Sequence, residues 1–169
     1  MRRSDIVAFR AFPPAHREPV WAVYGDMGAT TDQFRHVAPS IPMLTREQED
    51  GEFDGVIHAG DYAYDFAPYG GRVGDQFMNL IQPFASRVPY MAGVGNHESG
   101  GSNRKHFAMR FAGMEYVGKA SGAGNAGSAE HGDQMWWSFD AGLVHWVAVD
   151  TELWNCAHMA PHGNNESYV

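Results

Sequence analysis

Val56-Ile57-His58-Ala59-Gly60-Asp61-Tyr62-Ala63-Tyr64 passes from a short apolar run to a glycine, then to Asp61, whose side chain is capable of binding a metal through oxygen. The run has the length and composition of a strand buried on both faces of a parallel sheet. The same change of character occurs on either side of it. Val20 to Tyr24 leads into Gly25-Asp26, and Tyr90 to Val94 leads into Gly95-Asn96, so positions 26, 61 and 96 lie 35 residues apart. A strand, its crossover and the next parallel strand need about 30 or more residues, so each interval has the length of one βαβ unit. The implied class is α/β. Open α/β sheets bind ligands outside the carboxyl ends of their strands, which is where Asp26, Asp61 and Asn96 fall.

The crossovers carry weaker signals. Leu44 to Asp50 reads as helical, with Thr45 as N-cap and Gln48 three residues on in a capping-box pattern. Phe77, Leu80, Ile81 and Phe84 follow the i, i+3, i+4, i+7 stripe of a helix packed on a sheet, and Pro83 is expected to kink or end it. Asn103 to Phe111 is a further helical candidate. Gly113 to Asp133, rich in Gly, Ala and Ser, has the length of a functional flap. Met135 to Asp140 and Leu143 to Asp150, separated by Ala141-Gly142, read as a β-hairpin. Residues 1–19, with three prolines, read as an irregular lead-in, 20–152 as the folded domain and 153–169 as an unassigned tail.

The 169 residues, 44% hydrophobic with five Trp and ten Phe, suffice for one domain with its own core. A formal charge of -8 argues against nonspecific nucleic-acid binding, which needs clustered Lys and Arg. It leaves phosphate binding open, provided bound cations reverse the local field. Cys156 is the only cysteine, which excludes an internal disulfide and a thiolate cluster. No apolar run approaches the roughly 18 residues of a membrane span, and the apolar stretch in Met1 to Arg10 is too short for a signal peptide.

Hard cations prefer carboxylate, phenolate and amide oxygens, and two of them about 3.5 to 4 Å apart can clamp a phosphoryl group. Asp26 and Asp61 suit such a site, with Asp61 placed to bridge. Tyr64 offers a phenolate if a trivalent ion lowers its pKa, Asn96 a neutral oxygen, and His97 a proton for a leaving oxygen. Taken singly, each also fits a blander role: Asp or Asn after Gly is often a turn or helix cap, and Tyr62 and Tyr64 fit aromatic packing. His58 reads as a satisfied core residue, and His16, His36, His106 and His131 as solvated.

Gly25-Asp26-Met27-Gly28, Gly60-Asp61-Tyr62-Ala63-Tyr64 and Gly95-Asn96-His97-Glu98, in this order, resemble the first three signature blocks of the calcineurin-like metallophosphoesterases. Tyr64 in the second block resembles the mark of the purple acid phosphatases. Trp136 to Asp140, Val144 to Trp146 and Asp150-Thr151-Glu152 look like the hairpin that follows the third block in that family, with His145 structural. The resemblance implies a βαβαβ sandwich of four αββα layers. It implies hydrolysis of phosphate monoesters by metal-hydroxide attack at a dinuclear centre of Fe(3+) with Fe(2+), Zn(2+) or Mn(2+). Asp26 and Tyr64 would bind the ferric ion, Asp61 would bridge, Asn96 would bind the divalent ion, and His97 would contact phosphate and assist the leaving group. A tyrosinate-to-iron absorption band would follow from Tyr64. An extracellular or secretory location and a homo-oligomer are compatible expectations.

The family's later blocks, a His at a strand end and a Gly-His-x-His, supply three more ligands in that resemblance and do not occur in these residues. His158 and His162 have i, i+4 spacing, but Pro161 lies between them and they follow Glu152 too closely. The expectation is a catalytic domain truncated after its first half, with apolar edge and face exposed. Two alternatives stay open: a catalytically inactive protein that binds metal or phosphate, and a phosphodiesterase of the same superfamily.

Overall fold

The computed structural model describes residues 7–13, 17–29, 40–114, 117 and 136–152. Most of the expected flap between Gly113 and Asp133 lies outside these residues, as do His16, His36, His131, Cys156, His158 and His162. Three strands, β1 (Trp21–Tyr24), β2 (Gly55–His58) and β3 (Tyr90–Ala92), form a parallel sheet in the order β1-β2-β3. Helices α1 (Ser40–Asp50) and α2 (Arg72–Ala85) occupy the two crossovers. After β3 come the short α3 (Asn96–Ser99), α4 (Gly101–Arg110) and an antiparallel hairpin of β4 (Trp137–Ala141) and β5 (Val144–Ala148).

The register assigns the two faces of the sheet. Tyr24, His58 and Ala92 are partners across the strands, and the His58 ring lies 6.1 Å from Phe77 of α2, so this face carries the helices. Trp21 is paired with Gly55 on the opposite face, and its indole lies 5.3 Å from Phe139 and 5.8 Å from Trp146 of the hairpin. A Cβ on Gly55 would fall 2.5 Å from that indole, so glycine is what lets the ring lie across β2. Trp137 Nε1 donates to Ala92 O at the end of β3 over 2.9 Å. Helices, parallel sheet and hairpin are thus three successive layers, matching the expected α/β fold.

The core forms between the helices and β2. Phe77, Ile81 and Phe84 of α2 are buried with Tyr62, Phe66 and Phe107, and Leu80 packs beside them half-buried, as the stripe predicts. β2 is buried throughout, whereas β1 is an edge strand with Val23 57% exposed, so the expectation of three buried strands fails for β1. Asp54 fastens the start of this edge: its carboxylate accepts from Val20 N at 2.9 Å and pairs with Arg17.

Three local expectations change. α1 begins at Ser40 rather than near Thr45, whose hydroxyl donates to Ile41 O at 2.9 Å inside the helix. Pro42 hides this start from a sequence pattern, yet the first turn tolerates it because N–H groups there lack helical partners anyway. α2 continues through Pro83 and stops at Ala85, so the proline sits in the last turn. The hairpin turns at Gly142-Leu143, one residue later than read, with Gly142 at φ 61. His145 lies in β5, as expected, with its ring exposed and paired with Asp140 Oδ1 at 2.6 Å. Among the described residues no helix is long and apolar enough to cross a membrane.

Candidate metal centre

The parallel pairing continues past the strands and draws their following loops together. Ala59 N donates to Tyr24 O at 2.8 Å, Asp26 N to Gly60 O at 3.1 Å, and Met27 N to Asp61 O at 3.1 Å. On the other side Gly93 N donates to His58 O at 2.8 Å. The loops carrying Asp26, Asp61 and Asn96 therefore lie side by side at the carboxyl edge of the sheet. Glycines permit this spacing: a Cβ on Gly60 would fall 2.4 Å from Gly95 N, and one on Gly95 would fall 2.2 Å from Asp61 Oδ1.

Asp26, Asp61 and Tyr64 share an uncommon backbone, with φ of 55, 56 and 50. Left-handed φ in residues that carry a Cβ is costly and clusters at functional sites. Asp65 follows at φ 89. The tight coil at residues 60–65 sends Tyr62 and Tyr64 in different directions. Tyr62 is fully buried and donates to Gly93 O at 2.7 Å, while Tyr64 turns outward and donates to Asp26 Oδ1 at 2.6 Å. The hydrogen bond to Asp26, with the negative charges of Asp26 and Asp61, pushes the Tyr64 hydroxyl up to about 12.

His97 lies against this cluster, its ring 4.8 Å from that of Tyr64, and its backbone N–H donates to Asp61 Oδ1 at 3.1 Å. Its Nδ1 is 3.2 Å from Asp65 Oδ1, which also accepts from Asn103 Nδ2 at 2.7 Å. Asn103 in turn accepts from Ala67 N at 2.8 Å, so α4 braces the chain of contacts that ends on the imidazole. Asn96 is exposed at the start of α3.

Sequence reasoning missed two carboxylates here. Asp65 carried no signal, because its role depends on the turn that aims it at His97. Glu98 carried one: it stands three residues after Gly95, the capping-box position, and accepts from Gly95 N at 3.1 Å. It is fully buried, and burial pushes its carboxyl up against the opposing pull of its backbone donors.

The donor set of two carboxylates, a phenol and an amide fits a hard cation. The Tyr64–Asp26 contact shows two of these oxygens already within reach of one ion. Among the described residues no group of three or more His, Cys, Asp or Glu gathers at one point. The fit therefore rests on oxygen donors that include Tyr64 and Asn96.

The model of the calcineurin-like phosphoesterase family matches residues 21–168. Acid phosphatase type 7 of Mus musculus is 35% identical over 147 residues, 87% of this chain and 28% of that protein. A probable inactive purple acid phosphatase 27 of Arabidopsis thaliana is 30% identical over 77% of this chain and 22% of its own length. The solved structure of purple acid phosphatase PPD1 from seeds of yellow lupin (Lupinus luteus) is similar over 79% of this chain and 24% of that one. Its TM-score is 0.48, with 26% identity. The chain spans less than a third of the length of the mouse relative. With a family match along nearly all its length, the chain belongs to the calcineurin-like phosphoesterases.

Proposed function

We propose that the protein serves metal-dependent hydrolysis of phosphate monoesters, as an acid phosphatase with a dinuclear centre set in residues 20–152. Asp26, Asp61, Tyr64 and Asn96 are the residues that would hold the metals, a ferric ion at Asp26 and Tyr64, a divalent iron, zinc or manganese at Asn96, with Asp61 shared between them. The observation that carries this reading is Tyr64 Oη at 2.6 Å from Asp26 Oδ1, a contact between two different strand-end loops beside Asp61. Cations bound among these oxygens supply Lewis acidity that activates water and neutralises phosphoryl charge. The protein's own residues handle orientation and the proton. With Nδ1 turned to Asp65, His97 presents Nε2 to the ester and donates a proton to the departing alcohol oxygen. Asp65 fixes the tautomer and the ring plane.

The test has two arms. Hydrolysis of p-nitrophenyl phosphate should fall at least about 100-fold in Asp61→Asn, on the scale of a lost catalytic electrostatic contact; equal rates would remove Asp61 from the reaction. Ferric ion added to the wild type should produce a visible tyrosinate-to-iron band that Tyr64→Phe lacks. A second reading, metal binding without turnover, draws on the Arabidopsis relative named as probably inactive. It predicts the absorption band without phosphatase activity.

A further inference from the structure

Glu98 is fully buried, and its two oxygens accept three backbone N–H groups from two loops. Oε2 accepts from Asp61 N at 2.8 Å and from Gly95 N at 3.1 Å, and Oε1 accepts from Tyr62 N at 3.1 Å. The tie is reciprocal, because the Asp61 carboxylate accepts from His97 N at 3.1 Å. Asp61 from the loop after β2 and Glu98 from the loop after β3 therefore stitch the two together, each accepting a backbone N–H group of the opposite loop. Gly60 and Gly95 allow the two backbones to meet closely enough for both stitches.

The donors Asp61 N and Tyr62 N lie on either side of the Asp61 Cα, whose φ is 56. A left-handed aspartate persists only where its surroundings over-determine it, and here the surroundings are the Glu98 carboxylate. A carboxylate suits this place because it offers only acceptors, so both oxygens can face N–H groups at once. An amide cannot: its NH₂ end would face a backbone donor.

We propose that Glu98 is a positioning residue that pins Asp61 in its left-handed conformation and locks Asn96 and His97 in register with it. This rests on the reading of Asp61 and Asn96 as metal-binding residues. Glu98 touches neither metal nor substrate, and it acts on the geometry of the residues that do.

The experiment titrates the whole chain with Co²⁺ alone, in the wild type, Glu98→Gln and Asp61→Asn. Outer partners of ligands are typically worth about 10–100-fold in metal affinity, and Glu98→Gln should weaken Co²⁺ binding by that factor. Glu98→Gln binding Co²⁺ like the wild type, while Asp61→Asn does not, overturns the positioning role and leaves the metal-centre reading intact. Asp61→Asn binding like the wild type overturns the metal-centre reading itself. Hydrogen exchange on the metal-free protein is the second readout. The amides of Asp61, Tyr62 and Gly95 should be protected in the wild type and accelerated in Glu98→Gln, while Val56, Ile57 and His58 stay slow. Wild-type exchange at solvent rates for those three amides overturns the clamp even if the variant does not fold.

Discussion

His58 is a titratable side chain packed wholly among aromatic rings of the core. It is fully buried on β2, and its Nδ1 lies 2.6 Å from Tyr90 Oη, while Nε2 has no partner within hydrogen-bond geometry among the described residues. Burial disfavours the imidazolium and lowers its pKa from 6.5 to about 3. The unfolded chain takes up a proton near pH 6.5 that the folded chain refuses until about pH 3. The residue's contribution is therefore complete above pH 6.5 and is lost at about 1.4 kcal/mol per pH unit as pH falls through that window. Urea unfolding from pH 7 to pH 4 should show a slope steeper by about one proton in the wild type than in His58→Leu. Coincident slopes would mean that the folded state accommodates the charge. The sequence already marked His58 as a core residue from its apolar neighbours. It could not reveal the unpartnered nitrogen, which depends on how Tyr62, Phe77 and Tyr90 surround the ring.

At the scale of elements, the apolar runs and the even spacing made the strands and their parallel sense legible, because strand length and crossover length are set by simple geometry. The α2 stripe was legible for the same reason. The start of α1 was not, since Pro42 reads as a breaker and is tolerated only because it falls in the first turn. The candidate ligands were legible as residue types after glycines, whereas their support was not. Asp65, Asn103 and Glu98 act through contacts 32 to 38 residues away in sequence. The loop-to-loop approach gives a direct prediction. A glycine-to-alanine change at a compatible position stabilises by roughly 0.4–1 kcal/mol, whereas Gly60→Ala should destabilise the protein by more than that. Its methyl would strike the Gly95 backbone at φ 123. The variant's urea midpoint and its Co²⁺ affinity should fall together, and a midpoint matching the wild type would show that the loops can part freely.

For the whole molecule, an acidic balance and an open apolar surface act in opposite directions on solubility. The formal charge is -8 and the isoelectric point is about 5.5. Val23, Leu143, Val147 and Val149 are each at least half exposed, so the edge strand and the outer side of the hairpin both present apolar surface. At neutral pH net charge keeps molecules apart; near the isoelectric point that repulsion vanishes and apolar contacts prevail. Light scattering should peak near pH 5.5, and Val147→Lys should lower the peak and move it to higher pH. A flat profile would mean that the exposed valines contribute nothing to association.

The left-handed backbone at Asp26, Asp61 and Tyr64 bears on how variants of this protein would fare under selection. Glycine occupies that conformation without steric cost, so at these positions it is the thermodynamically easier residue. A library screened for heat resistance alone would drift toward glycine at the very places where these oxygen donors stand, gaining robustness as the proposed centre is erased. On the proposed reading of these residues as metal ligands, a screen that also demands bound metal would hold the three in place. Their persistence in any collection of hardened variants would then measure how strongly metal retention was enforced.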